Sequence, residues 1–537
     1  MRRWLETSMM VASLLIVTGG CISRGDEPQK PLIGGMGKLL LAGKGQDLRL
    51  STDGKWAAFL KSPSRPAVKG LSPTMALGEL WVVPLSGGAP RNLGASVTNS
   101  PGGFFFTADS RWLLGLRAYN PVQGAGELAV MDLNSPGSEP VTLGKAVSLM
   151  TVSPDSKSLA FLDGGVLKLQ RLGEAVARSV GAEVRVAQFS PDSAGLVYRR
   201  SYSAGGALMH LSLKAATAEP VKLGDRCGDF DFSPDGKWIA FTVESGASRD
   251  LFDLSLARTD TLKPKKVSSG TEVFGFSPDS KWLARNEGNR LNESHKLTPV
   301  RDLVVSAVGF GPSKKVGEKV ERFSFSPTSN AIIAFEKPTD HLKLGRLKLT
   351  PLPKGDTELI TQMADTFEWS PDGKFVAFNV EVYHPLPSVH LYTYKIGEPQ
   401  AKKVEEGVYG YSFAPKQDLL FYRSQCTKGE GGRVLPRSCE LRRLDLASTP
   451  AEPAKTVVSA VDNYRLSSDG KRLLLTMVRS DSDAYDTAEY SFDTAKRKTL
   501  DERTVLPPLF ASPDGKRVVY LISNQKSPGL YLSESTL

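Results

Sequence analysis

The chain is poor in the residues that usually carry chemistry. It has 537 residues but only five histidines and four cysteines. Neither His-Glu-x-x-His nor Cys-x-x-Cys occurs, so no zinc centre of those types is predicted. The string nearest to the Gly-x-Ser-x-Gly motif of hydrolases lies at 275–279 and belongs to a repeated turn. No glycine-rich phosphate loop precedes a helix, so no nucleotide or other cofactor is expected. We therefore predict no catalytic residues, no metal ligands and no enzyme activity.

Long hydrophobic runs are also absent after the first 21 residues. No later segment approaches 18 apolar residues, so no later membrane-spanning helix is expected. At the start of the chain, Arg2 and Arg3 precede a short apolar run over 9–17, and small residues follow it. A basic start, a short apolar segment and small residues together predict a secretory signal.

The signal ends in Val17-Thr18-Gly19-Gly20-Cys21, which resembles a bacterial lipoprotein cleavage site. The resemblance implies a lipoprotein signal peptide over residues 1–21, with Cys21 as the lipidated residue that holds the protein at a membrane. Ile22 stands where an inner-membrane lipoprotein has an acid, which implies the outer membrane of a bacterial envelope, facing the periplasm or the surface. Residues 22–35 are polar, with Gly and Pro, and predict a tether. The alternative is a plain secretory signal with an unrelated cysteine.

Export permits disulfides, and the remaining cysteines suggest one. Cys426 and Cys439 flank a Gly-rich, charged stretch between two strand-like runs, 419–422 and 441–444. A hairpin would bring these two cysteines together, and a bridge closing so short a loop is worth about 3 kcal/mol in the chain-entropy model. Cys227 is then expected to be a buried thiol.

The formal charge is +10 and the pI about 9.2. Basic clusters occur at 263–266, 314–315 and 496–498. The simpler interpretation is that they are solvated loops between strands. The sharper one is attraction to anionic envelope material, such as lipid head groups or acidic glycans. Export and the lack of a recognised binding module argue against nucleic acid as a partner.

What the chain has in abundance is one short turn. Ser233-Pro234-Asp235-Gly236-Lys237 stands between two apolar runs and combines residues that favour a tight turn. Eleven copies follow one another, with degenerate ones at Ser326 and Ala414. In each intact copy the aspartate is expected to cap backbone N–H groups, so it is a structural rather than a catalytic residue. These turn aspartates are Asp53, Asp109, Asp155, Asp192, Asp235, Asp279, Asp372, Asp469 and Asp514.

The spacing of the turns predicts the fold class. Successive aspartates at 192, 235, 279 are 43 and 44 residues apart. Four short strands fit into one such period, at 228–233, 237–243, 251–256 and 265–268, and no long helical pattern interrupts them. This is the period of a four-stranded propeller blade, so we predict an all-β protein with about eleven blades. The repeated tryptophans are expected to pack between blades; they are Trp56, Trp112, Trp238 and Trp282.

The Ser-Pro-Asp-Gly-Lys core, followed by an apolar trio and a later Leu-Tyr-Val-like strand such as 392–394, resembles the TolB-type propeller repeat. The resemblance covers roughly 36–537 and implies a β-propeller. TolB carries an α/β domain before its propeller, and the stretch between Cys21 and Asp53 has no room for one. The resemblance therefore implies the fold rather than the role of TolB.

The number of rings has two possible answers. Single propellers usually have about 4–8 blades, so our first choice is two rings, with an N-terminal region over 36–300 and a C-terminal region over 301–537. The alternative is one large ring. It is suggested by 37–41, which reads as an isolated outer strand, and by the chain ending after a third strand at 530–532.

These patterns favour a non-enzymatic, lipid-anchored envelope protein whose blades bind a protein or a glycan. The longer inserts, at 62–80, 286–320 and 424–440, are the expected contact regions. The alternative is a secreted polysaccharide lyase or glycosidase. For that function His384 and His390 would supply a metal site like that of propeller-fold pectate-type lyases, although an exposed loop is the simpler interpretation.

Overall fold

The computed structural model describes residues 37–534, which lie in one compact unit, Leu32–Leu537. Residues outside the description within that range are 69, 202–204, 247–250, 292–296, 299–300, 338–343, 383–387, 428–437, 449–451, 468, 480–484, 505–508, 513–516 and 523–526. The described residues form strands and turns, without a helix. None of them forms a helix suited to crossing a bilayer.

The described strands build eleven antiparallel blades of four strands, which we number 1 to 11 in chain order; seven blades are separate sheets, and the other four form two seven-stranded sheets in which adjacent blades share a strand. The first strand and those of blades 1 to 3 are β1 (Lys38–Ala42), β2 (Gly45–Leu50), β3 (Trp56–Ser64), β4 (Leu77–Pro84), β5 (Arg91–Thr98), β6 (Phe104–Phe106), β7 (Trp112–Asn120), β8 (Ala125–Asp132), β9 (Val141–Val152), β10 (Ser158–Asp163), β11 (Val166–Arg171) and β12 (Arg178–Ala182). Those of blades 4 to 6 are β13 (Val184–Phe189), β14 (Gly195–Arg200), β15 (Leu208–Ser212), β16 (Val221–Gly224), β17 (Cys227–Phe232), β18 (Trp238–Glu244), β19 (Phe252–Arg258), β20 (Lys265–Ser269), β21 (Phe274–Phe276), β22 (Trp282–Glu287), β25 (Asp302–Ala307) and β26 (Ser313–Gly317), with the small hairpin β23 (Arg290–Leu291) and β24 (Leu297–Thr298) inserted in blade 6.

The remaining blades complete the chain. Blades 7 to 9 contain β27 (Val320–Phe325), β28 (Ala331–Glu336), β29 (Gly345–Pro351), β30 (Glu358–Ala364), β31 (Phe367–Trp369), β32 (Phe375–Val382), β33 (Ser388–Lys395), β34 (Lys402–Glu405), β35 (Tyr411–Phe413), β36 (Leu419–Ser424), β37 (Cys439–Asp445) and β38 (Lys455–Leu466). Blades 10 and 11 contain β39 (Arg472–Val478), β40 (Tyr485–Ser491), β41 (Lys496–Thr504), β42 (Leu509–Ala511), β43 (Arg517–Ile522) and β44 (Gly529–Glu534). The 12-residue strands β9 and β38 each serve as the last strand of one blade and the first of the next.

The predicted all-β propeller of four-stranded blades is confirmed. The second strand of most blades is largely apolar because both of its faces are covered; β10, for example, has four buried apolar residues in succession and β28 has five. Runs of this kind are typical of strands buried on both sides. A blade therefore needs an apolar neighbour on each face, and the packing of blades decides how the sheets are arranged.

Eleven hydrophobic clusters join each blade to the next. Blades 5 and 6 meet around Ala240 and Leu283, and blades 6 and 7 around Leu303 and Ile332. The last cluster places Val519 of blade 11 against residues of blade 1. The packed blades therefore form one closed ring.

The first-choice prediction of two rings is wrong, and the alternative of one large ring describes the packing. Two rings would need a break in blade-to-blade packing near residue 300, where the two predicted regions meet. Blade 6 packs on blade 7 there. The expected division between 300 and 301 falls inside one sheet, because β22 and β25 pair directly across it. The N-terminal strand closes the ring: Lys38 lies opposite Leu532, so β1 is the outer strand of blade 11.

Candidate binding surface

The repeated turn has one geometry in the intact copies. In blade 5 the Ser233 hydroxyl donates to the Asp235 carboxylate at 2.6 Å, and the Lys237 N–H donates to the same oxygen at 3.1 Å. The Trp238 N–H donates to the Ser233 hydroxyl oxygen at 3.0 Å. The carboxylate thus accepts a backbone N–H inside the turn, as predicted from the sequence. The same serine (or threonine)–aspartate bond occurs at Asp53, Asp109, Asp155, Asp192, Asp279, Asp372 and Asp469. Asp514 lies outside the described residues.

These bonds affect the acidity of the carboxyl groups. Burial is the largest single influence and on its own raises the pKa, but the bonds from serine, the backbone N–H and lysine together lower the pKa of Asp53 and Asp235 below its usual value. The same balance lowers the pKa of Asp372 to about 2. Asp53, Asp235 and Asp372 are therefore charged near neutral pH and bonded within their own turns, which suits a structural role.

A contact that the sequence analysis missed links one turn to the next. The Asp235 N–H donates at 2.9 Å to the hydroxyl of Ser280, which is the fourth residue of the following turn. Ser280 has a φ of 62°, in the left-handed region. The same bond, at 3.0–3.1 Å, reaches Ser110, Ser156, Ser193 and Ser329 from the aspartate one blade earlier. Serine in place of glycine at this position is the signal that could have revealed the contact.

Because neighbouring turns touch, the turns lie together at one end of the ring, which we call the turn end. In every blade five residues separate the first strand from the second; in blade 5 these are residues 233–237, between β17 and β18. The second strand runs away from the turn, so its connection to the third strand lies at the other end. We call that opposite end the insert end.

The connections at the insert end vary widely in length. Two residues, Gly164 and Gly165, join β10 to β11, whereas 14 residues separate β36 from β37. The expected contact regions 62–80, 286–320 and 424–440 all include such a second-to-third-strand connection. The structure therefore brings the inserts of blades 1, 6 and 9 to a single end of the ring.

Parts of the insert end are held by specific bonds. A disulfide joins Cys426 to Cys439 at the base of the blade 9 insert. In blade 1 the Asn99 side chain accepts from the Ala76 N–H at 2.8 Å and donates to the Thr74 carbonyl at 2.9 Å, which fixes the connection to β4. Val122, between β7 and β8, is 74% exposed at the same end.

The histidines and the remaining cysteine are placed as follows. His390 lies on β33, whereas His384 falls outside the described residues, so the alternative metal site formed by this pair stays a prediction. His210 is buried, and burial lowers its pKa. Cys227 is a buried thiol, and burial raises its pKa to about 11. Among the described residues no group of three or more His, Cys, Asp or Glu side chains is arranged to hold a metal ion. Cys21 lies outside the description.

One acidic residue stands out on the inner strands. Glu368 of β31 accepts from the Phe413 N–H of blade 9 at 3.3 Å, and burial raises its pKa to about 7. It lies near the buried phenols of Tyr411 and Tyr464, whose hydroxyls bond to Thr366 and Ser412. The bonds between blades 8, 9 and 10 give this cluster a role in holding the ring. Nothing in the local sequence pattern marks Glu368 in advance.

These observations define a β-propeller repeat protein whose turns lie at one end and whose inserts lie at the other. No family model matches the chain, and no curated protein matches it. Among solved structures it is similar to a eukaryotic initiation factor, at 14% identity over 70% of this chain and 93% of that chain, with a TM-score of 0.41. It is similar to the tricorn protease at 12% identity, with a TM-score of 0.29, over 88% of this chain and 50% of that one. It is also similar to an oligogalacturonate lyase in complex with manganese, at 11% identity, with a TM-score of 0.28, over 64% of this chain and 87% of that one.

Proposed function

We propose that this chain is a non-enzymatic, lipid-anchored protein of the bacterial envelope, with TolB-like blades whose insert end binds a protein or a glycan. Cys21 carries the lipid in this proposal and places the protein at the outer membrane. The observation that carries the binding role is the separation of the two ends. The turns occupy their own aspartates at one end, while the variable connections of blades 1, 6 and 9 collect at the other. Loops gathered on a rigid scaffold are the usual site of recognition.

Two exposed valines allow a matched test of the binding end. Val122 is 74% exposed at the insert end, and Val176, between β11 and β12, is 79% exposed at the turn end. Tagged protein would be cross-linked in envelope extracts, and the partner identified from the unchanged chain. We expect Val122→Asp to reduce capture of that partner and Val176→Asp to leave it unchanged. Equal effects of the two variants, or an effect of Val176→Asp alone, would contradict the assignment to the insert end.

The anchor and the lack of catalysis have their own tests. Metabolic labelling with a fatty acid should mark the unchanged chain and not Cys21→Ser, which should leave the membrane fraction. A Cys21→Ser variant that stays in that fraction would indicate a plain signal peptide. Incubation with acidic polysaccharides and divalent metals should produce no new chain ends. Turnover that a chelator abolishes would replace this proposal with the lyase alternative.

A further inference from the structure

The three basic clusters of the sequence all lie at the turn end, in different blades. The third strand of a blade runs back toward the turn, as shown by Arg258 at the end of β19 lying opposite Trp238. The fourth strand therefore begins at the turn end. Residues 265–266 are the first residues of β20, and 496–498 are the first residues of β41. Residues 314–315 are the second and third residues of β26. Clusters far apart in sequence thus share one end of the ring.

Blades 5 and 6 add exposed aromatic surface to this charge. Phe310 packs edge-on against Trp238 with ring centroids 6.2 Å apart. The Lys265 ammonium lies 4.6 Å from the Phe310 ring, and the Arg258 guanidinium lies 5.6 Å from the Trp238 ring. We call these four residues the aromatic–basic patch.

The patch presents its cations and its phenyl ring to solvent. Phe310 is 41% exposed and has a φ of 74°, a conformation that costs a bulky residue free energy. Arg258 pairs with Asp260 at 2.6 Å. Within the described part of the chain, no carboxylate lies within ion-pair distance of Lys265 or of Lys314 on blade 6, whose ammonium donates to the Gly355 backbone carbonyl. An exposed aromatic ring among such cations is typical of surfaces that lie at a membrane interface.

The described chain also begins at the turn end. Gly37 and Lys38 line a cleft of about 380 Å³ with Lys498 and Arg517, and Glu534 is the acid beside them. The Lys498 ammonium donates to the Glu534 backbone carbonyl at 3.0 Å. Sixteen peptide links separate Gly37 from Cys21, which spans at most about 55 Å when fully extended. A lipid on Cys21 would therefore be joined to the ring at its turn end.

We propose that the turn end binds the head groups of an anionic phospholipid bilayer, with the aromatic–basic patch and Lys314 as its main contacts. Lys265 and Lys314 lie against lipid phosphates, and Phe310 enters the interface between head groups and acyl chains. This orientation rests on the proposed lipid anchor at Cys21. The bilayer contact itself needs no lipid on the protein, because it depends on charge attraction and aromatic burial.

The test uses the full chain with Cys21→Ser and sedimentation with vesicles of phosphatidylglycerol and phosphatidylcholine, or of phosphatidylcholine alone. The apolar segment 9–17 is common to every variant, so differences between variants carry the result. We expect stronger binding to the anionic vesicles, which weakens as salt is raised. The double change Lys265→Gln with Lys314→Gln should weaken binding roughly thirty-fold, and Phe310→Ser about five-fold.

The matched control removes two exposed lysines from the insert end. Lys44 immediately precedes β2, and Lys145 lies near the middle of β9, which is the part of that strand at the insert end. Lys44→Gln with Lys145→Gln should change binding less than two-fold, since the overall charge falls equally but the patch is intact. An equal loss in the control, equal binding to neutral vesicles, or binding of polygalacturonate with none to vesicles would overturn the proposal. Failure here leaves the labelling result at Cys21 untouched, so the two proposals fail separately.

Discussion

The bonds between successive turns make a prediction that separates two roles of one serine. Ser110, Ser156, Ser193, Ser280 and Ser329 each accept from a backbone N–H one blade earlier, at 2.9–3.1 Å, with φ between 60° and 62°. Replacing all five by alanine removes the hydroxyls and keeps the strained backbone. At about 1 kcal/mol for each lost bond, the five-fold alanine variant should lose about 5 kcal/mol of stability.

Replacing the same five serines by glycine should cost far less. Glycine also loses the bond, but it relieves about 1–2 kcal/mol of left-handed strain. The greater freedom of glycine in the unfolded chain lowers the stability of the folded state by about 0.5–1 kcal/mol. The three terms nearly cancel at each position, so the glycine variant should resemble the unchanged protein.

Guanidinium unfolding, followed by circular dichroism and tryptophan fluorescence, measures both variants. We expect a lower midpoint for the alanine variant at an unchanged slope, because the folded and unfolded surfaces are the same. An alanine variant as stable as the glycine variant would refute the reasoning, since the inter-blade bond would then contribute nothing. A glycine variant as unstable as the alanine one would show that the backbone is unstrained.

Three further predictions concern other contacts. Because the pKa of Glu368 is raised to about 7, the folded state binds its proton more tightly than the unfolded state; stability should fall as pH rises from about 4.5 to 7, by at most about 3 kcal/mol, and thermal midpoints of Glu368→Gln should show a flatter dependence. An unchanged pH profile would count against this. Reduction of the Cys426–Cys439 bridge, which spans 13 residues of sequence, should cost about 3 kcal/mol in denaturant titrations, whereas Cys439→Ser should be insensitive to reductant. Gly236→Ala places a Cβ 2.9 Å from Asp192 Cγ at a φ of 71°, so it should lower the free energy of unfolding by more than about 1 kcal/mol in denaturant titrations, and a neutral result would show that the turn end relaxes freely.

The sequence predicts the blades well because their information is local. A turn such as 233–237 has its capping serine, its aspartate and its left-handed residue within five positions, and apolar strands flank it. Ring closure depends on pairs that no local pattern contains. Lys38 lies opposite Leu532, and only the packing of all eleven blades decides that they meet. The prediction of two rings followed from the usual number of blades in a single propeller, about 4–8, which does not hold for this chain.

The missed contacts have a similar cause. Ser280 reads as a turn residue, and its second role depends on Asp235, 45 residues earlier. Glu368 reads as one polar position in a short strand. Its raised pKa depends on burial that the neighbouring blade provides, and on Tyr411 and Tyr464 close by. Such properties follow from which blades become neighbours, and the repeat alone does not determine that.

The contrast between the two ends follows from the turn contact itself. At five turns the bond from one N–H to the hydroxyl of the next turn fixes the length, and all eleven first connections have five residues. The second-to-third-strand connections range from two to 14 residues, and lengthening such a loop costs little closure entropy. The longest connections therefore lie at the insert end. The turn end also receives the N-terminal strand and the basic starts of the fourth strands. In the two proposals above, this basic end faces the bilayer, whereas the end with connections of variable length faces a particular partner.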